Sequence, residues 1–111
     1  MMKKIAILFF SIIMLVGCSK PLPSDKWSYI GEWVSDDMYL LILPDGSVSY
    51  ERVKEGASTS INAPLQEFIG DDFTVGFGFL NTKFIVYSPP YESGGEWFMV
   101  VDGVKLVKVD G

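Results

Sequence analysis

From Trp27 onward, turn residues cut the chain into short apolar runs at close and fairly regular intervals. The breaks fall at Asp36-Asp37, Pro44-Asp45-Gly46-Ser47, Gly56, Gly70, Asn81, a loop from Ser88 to Gly95, and Asp102-Gly103. Short runs between Gly, Pro, Asn and Asp clusters suit strands, because a strand needs few residues and each turn needs a residue that tolerates its backbone angles. Aromatic side chains, 14% of the chain, favour the same outcome: flat rings pack well on a pleated surface.

The firmest local reading is a hairpin. Residues 38–43 (MYLLIL) form an apolar run too short for a helix and flanked by turns, which suits a strand buried on both faces. Pro44 fixes φ, Gly46 accepts φ > 0, and residues 48–53 return as the partner. A second hairpin is expected where Asp102-Gly103, a two-residue type I′ signal, joins residues 96–101 to 104–109. Residues 29–34 read as the first strand, 73–79 as an alternating strand with four apolar residues on one face, and 82–87 as another.

Two loops and one helical turn complete this reading. Residues 54–60 read as a polar loop around Gly56, and residues 88–95 (SPPYESGG) as a loop stiffened by two prolines. Asn62-Ala63-Pro64 has the look of a helix start, with Asn capping and Pro tolerated in the first turn. Leu65, Phe68 and Ile69 follow at i, i+3, i+4 spacing, and Gly70 supplies a stop. The expected fold class is all-β with one short helix: an antiparallel meander of six to seven strands closed into a small barrel or folded into a sandwich. A single flat sheet would leave one apolar face in water. The bend is expected at Gly76 and Gly78.

The N-terminus carries an address. Lys3 and Lys4 precede an apolar run from Ile5 to Val16, broken only by Ser11, that is too short to span a bilayer as a helix. The ending Leu15-Val16-Gly17-Cys18 resembles the lipobox of bacterial lipoproteins. That resemblance implies cleavage before Cys18, diacylation of its sulfur, and acylation of the new N-terminus. Two or more acyl chains give stable attachment where one gives only marginal binding. Cys18 is also the only cysteine, so an exported chain has no disulfide to form. Ser19 differs from the Asp typical of inner-membrane retention in such lipoproteins. The implied location is therefore the outer membrane, facing the periplasm.

This divides the chain into a signal peptide (1–17), a lipidated tether (18–26) read as an extended spacer, and one small β-barrel-like domain (27–111). The full chain carries 9 basic and 14 acidic residues. Losing Lys3 and Lys4 with the signal leaves 7 against 14, a net charge of −7. An acidic domain repels phosphate backbones, which argues against nucleic acid and for a basic protein partner. Gly31-Glu32-Trp33 at the first strand, followed by the Asp45-Gly46 turn, resembles the opening of lipocalin-like barrels. In those the Trp packs across the barrel floor, and the resemblance favours a barrel here.

Catalytic chemistry is thin in this sequence. Without a histidine there is no Ser-His-Asp or Cys-His arrangement and no His-based zinc site. Neither Asp36-Asp37 nor Asp71-Asp72 has the spacing of a Ca²⁺ loop, and no metal or cofactor is expected. The leading expectation is a non-enzymatic protein-interaction module anchored through acylated Cys18, with Tyr91, Glu92, Asp71 and Asp72 as the partner surface. The alternative is a small hydrophobic-ligand barrel with a pocket lined by Trp33, Tyr39, Tyr50 and Trp97. A hydrolase using two of Asp36, Asp37, Asp71, Asp72, Glu92 and Glu96 is the third.

Overall fold

The computed structural model describes residues 20–109, and the signal segment and Cys18 lie outside them. A 3-10 turn at Ser24–Tyr29 leads into nine strands: β1 Gly31–Val34, β2 Met38–Ile42, β3 Ser47–Lys54, β4 Ala57–Ile69, β5 Asp72–Phe77, β6 Leu80–Phe84, β7 Val86–Ser93, β8 Glu96–Val101 and β9 Val104–Lys108. The expected all-β antiparallel meander is therefore present, but with nine strands where six to seven were expected.

All pairings are antiparallel, in the spatial order β6-β5-β4-β3-β2-β1-β9-β8-β7. The two ends of this order, β6 and β7, are consecutive in the chain and separated only by Ile85. Counting reversals from β1 in both directions shows that β6 and β7 run in the same sense. They are two halves of one bent strand, the first paired with β5 and the second with β8. Strand β4 is shared in the same way. Residues 57–64 pair with β3, and residues from Leu65 on pair with β5, with a bulge between Leu65 and Glu67. Two strands that each change partner curl the sheet into a half-barrel.

The inner face carries the core. Leu40 and Ile42 of β2, Trp33 of β1, Phe73 and Val75 of β5, Phe84 of β6, Met99 and Val101 of β8 and Leu106 of β9 are all fully buried. Phe84 stacks on Phe73 at 5.1 Å and meets Tyr50 edge-on at 4.9 Å, so the bent strand and β5 are joined to β3 through aromatic contact. Tyr29 plugs one opening, its ring against Phe68 and Phe73.

Several expectations require correction. Residues 62–70 are extended, not helical, and the helical piece lies earlier, at Ser24–Tyr29. The first strand starts at Gly31 instead of residue 29. Residues 54–60 are strand except for a tight Glu55-Gly56 turn. The predicted loop 88–95 is mostly β7, with the turn confined to Gly94-Gly95. Pro89 and Pro90 fit there because β7 pairs on one side only and bulges twice, so their missing N–H groups leave no gap in the ladder. The turn expected at Asn81 falls at Gly78-Phe79. The spacer expected over residues 18–26 is built into the domain from Lys20: Leu22 is buried, and its N–H donates to the Pro44 carbonyl.

Candidate functional site

The strand reversals define two opposite ends along β2. At one end lie the β1–β2 and β3–β4 turns, and at the other the β2–β3 turn. The five residues of β2 between them span roughly 16 Å.

The first end is acidic. Ser35 organises the β1–β2 turn, its hydroxyl oxygen accepting from the N–H groups of Met38 and Asp37 at 3.0 and 3.3 Å. The Ser35 hydroxyl in turn donates to the Asp37 carboxylate at 3.1 Å, and both Asp36 and Asp37 are exposed. Register places Tyr39 opposite Glu51, and together with Asp36, Asp37 and Val53 they line a shallow cleft of about 170 Å³. The Glu32 carboxylate beside the Tyr39 hydroxyl raises that hydroxyl's pKa above the ordinary tyrosine value. Chemically, the cleft offers carboxylates to a cation.

The second end is where the chain enters. Gly46 in the β2–β3 turn has φ +93, and an added Cβ would strike the Lys20 carbonyl, so the entering backbone lies directly on the turn. Lys20 also lines a groove of about 330 Å³ together with Leu65, Gln66, Phe77 and Gly78. The Gln66 side-chain amide donates to the Gly78 carbonyl at 2.7 Å, tying the β5–β6 hairpin tip to β4. On that tip Phe77, Phe79 and Leu80 are 59%, 90% and 68% exposed. A wider groove of about 390 Å³ lies between Phe77 and Leu80 on one side and Ser60–Ala63 of β4 on the other.

The sequence-predicted residues are distributed differently. Asp71 and Asp72 sit at the β4–β5 turn and are partly engaged in structure. Asp71 accepts the Tyr29 hydroxyl on its backbone carbonyl at 2.9 Å and faces the Lys26 ammonium at 3.9 Å. The Asp72 carboxylate accepts the Val86 N–H at 2.7 Å. Tyr91 and Glu92 lie near the far end of β7, five to six residues beyond Val86, which is up to about 20 Å along the strand. Tyr91 rests against Phe98. The four do not form one surface.

Of the four expected pocket residues, Trp33 and Tyr50 are built into the packed core, and Trp33 donates its indole N–H to the Tyr29 carbonyl at 2.9 Å. Trp97 stands at the rim. Tyr39 alternates to the outer face, beside Asp37. Trp33 and Tyr50 belong to the buried cluster of core side chains, and the grooves described above open on the outside.

Among the described residues, no group of three or more Cys, Asp or Glu side chains converges as a metal would require. Asp36 and Asp37 lie at one turn, Asp71 and Asp72 at another, and Glu92 and Glu96 flank a third. The apolar tip was readable in part: Phe77 and Phe79 alternate with glycine, but that pattern points equally to a core strand. The turn at Gly78 is what brings them into solvent. Comparison with known families, curated proteins and solved structures finds no match to this chain.

Proposed function

We propose that the chain is an exported lipoprotein, anchored through acylated Cys18 at the periplasmic face of the outer membrane. Its 20–109 domain works there as a non-enzymatic interaction module for a basic protein partner. The observation that carries this reading is how soon the chain joins its domain after the attachment point. Lys20 already lies on the β2–β3 turn and Leu22 is in the core, so Cys18 can lie no more than about 7 Å of chain from the fold. A domain held that closely stays beside the membrane surface. Its chain-entry end faces the bilayer, and its acidic cleft of Asp36, Asp37 and Glu51 faces away, roughly 16 Å further out. The net charge of −7 after removal of the leader favours cationic partners over anionic ones.

Growth with an alkyne-tagged fatty acid, followed by intact mass measurement, tests the anchor. The mature chain should begin at Cys18 and carry the tag, and Cys18→Ala should carry none. A chain that retains residues 1–17, or an unmodified thiol, refutes the anchor. Crosslinking in cells tests the cleft: a partner captured by the native chain should be lost from an Asp36→Asn, Asp37→Asn, Glu51→Gln variant that remains folded.

A further inference from the structure

We infer that the β5–β6 hairpin tip, Phe77 to Leu80, is a second membrane contact that lies in the bilayer interface beside the lipid anchor. The inference rests on the reading of Cys18 as the attachment point. Three observations support it.

The first is composition and exposure. From Phe73 to Thr82 the chain carries no ionisable residue. At its tip two phenylalanines and a leucine stand mostly in solvent, with Phe77 and Leu80 directly paired across the hairpin. Other exposed apolar residues such as Trp27, Val53 and Tyr87 belong to separate elements. A contiguous apolar projection marks an interaction site where single exposed residues do not.

The second is position. Lys20 lines one groove with Phe77 and Gly78, so the tip stands beside the point where the chain turns toward the anchor. Cys18 is two residues earlier, so the backbone of the attachment point lies no more than about 7 Å of chain from Lys20. The Gln66–Gly78 hydrogen bond ties that tip to β4 beside the same groove.

The third is the flanking charge. Exposed Lys20 lies in the groove beside the tip and exposed Lys83 lies on β6 three residues past Leu80, where ammonium groups can remain with anionic headgroups while apolar side chains enter the interface. A rival occupant exists. The outer edge of β4 at residues 57–64 has no ladder partner among the described residues and borders the same groove, so an extended peptide could add a strand there. A main-chain ladder gives the exposed side chains of Phe77, Phe79 and Leu80 no role, which favours the bilayer.

The test uses the full chain purified from membranes and placed in phosphatidylethanolamine–phosphatidylglycerol vesicles. Intact mass first establishes whether Cys18 is acylated, so failure of the anchor is recorded separately. Amide hydrogen exchange is then compared with and without vesicles. At Phe77–Leu80 exchange should slow about ten-fold or more on the vesicles, while the Glu55-Gly56 turn at the acidic end should be unchanged. The Phe79→Ser, Leu80→Ser variant of the acylated chain should move between vesicles about ten-fold faster or more, since both side chains would leave apolar surroundings.

Equal exchange at the tip with and without vesicles overturns the inference, whether or not Cys18 proves to be acylated. Slowing at residues 60–63 and 80–82 that appears only when extracted membrane proteins are added also overturns it, and assigns the groove to an added strand. If Cys18 is unmodified and the tip is nonetheless protected by vesicles, the anchor reading falls and the membrane contact stands.

Discussion

The ammonium of Lys108 lies 5.1 Å from the centroid of the Trp33 ring, over a side chain that is itself fully buried. The two residues are direct partners across the β1–β9 ladder, and the same ammonium is 5.7 Å from Trp97. Burial lowers the Lys108 pKa below the ordinary lysine value, and the two rings and the Ser28 carbonyl at 3.4 Å replace part of the lost hydration. Gly31 makes room for this. It has φ +145, and an added Cβ would lie 2.6 Å from Lys108 Cε.

Gly31→Ala should therefore cost about 1–3 kcal/mol, through backbone strain together with displacement of the lysine stem. In a Lys108→Ala background the steric part disappears, and the cost should fall by roughly 0.5–1 kcal/mol. Urea denaturation of the four proteins of the cycle measures the difference. Strict additivity would show that the glycine does not serve the lysine.

Tyr29 makes stability depend on alkaline pH. Burial raises its hydroxyl pKa to about 12, with the charges of Asp71 and Asp72 adding to the effect. The folded state thus holds its proton where the unfolded state, near 10, releases it. The resulting stability is fully present below pH 10 and is lost as pH rises from 10 to about 12, on the order of 2 kcal/mol. Tyr29→Phe should cost about 1 kcal/mol at pH 7 for the lost bond to the Asp71 carbonyl. It should also flatten the decline of the denaturation midpoint above pH 10. An unchanged alkaline limb would remove Tyr29 as its source.

How far the fold was legible depended on whether local pattern and tertiary pairing agreed. Strands at 38–42, 48–53 and 96–101 and the turns at Pro44–Ser47 and Asp102-Gly103 were readable, because each alternation ends at a residue that the turn requires. Asp102, at φ +50, and Gly103, at φ +81, take the positive angles that an Asp-Gly loop calls for. Strand β4 misleads for a definite reason. Leu65 and Phe68 share an inner face at i, i+3 spacing because the bulge before Glu67 resets the alternation, which imitates a helical stripe in an extended chain. Pro64, read as a first-turn residue, sits where β4 changes partner from β3 to β5. The continuation of β6 into β7 is equally invisible in sequence, since nothing local marks Ile85 as a bend between two ladders. For the site, Asp36, Asp37 and Tyr39 were each noticed, but cross-strand register alone joins them to Glu51. The hairpin tip was hidden because Phe77 and Phe79 extend an alternation whose earlier members, Phe73 and Val75, do enter the core.

Two carboxylates hold that bend. Asp72 accepts the Val86 N–H at 2.7 Å and Asp102 accepts the Ile85 N–H at 2.9 Å, while the Asp102 N–H donates to the Ile85 carbonyl. They satisfy backbone groups that neither ladder reaches. Asp72→Ala and Asp102→Ala should each lower stability by about 1–2 kcal/mol and speed amide exchange at Val86 and Ile85 respectively. If exchange at those amides is unaltered, the bend is held by core packing of Phe84 and Val86 alone.

The β5–β6 hairpin depends on two glycines for different reasons, and the difference can be measured. At Gly76, φ is +154 and an added Cβ would collide with the Leu80 carbonyl and lie 2.6 Å from Asn81 Cα, all of it backbone that cannot move without breaking the Gly76–Asn81 pair. Gly78 has φ +59 and open space around it, so a substituent there meets only the left-handed backbone penalty, about 1 kcal/mol. Gly76→Ala should therefore cost about 2–4 kcal/mol, clearly more than Gly78→Ala. It should also separate Phe77 from Leu80, abolishing the apolar tip even where the rest of the half-barrel survives. Denaturant midpoints give the first difference, and vesicle binding of the folded fraction gives the second. Equal losses for the two variants would mean that β5 and β6 are less closely paired at Gly76 than the register requires, and the tip could not then be the rigid projection described above.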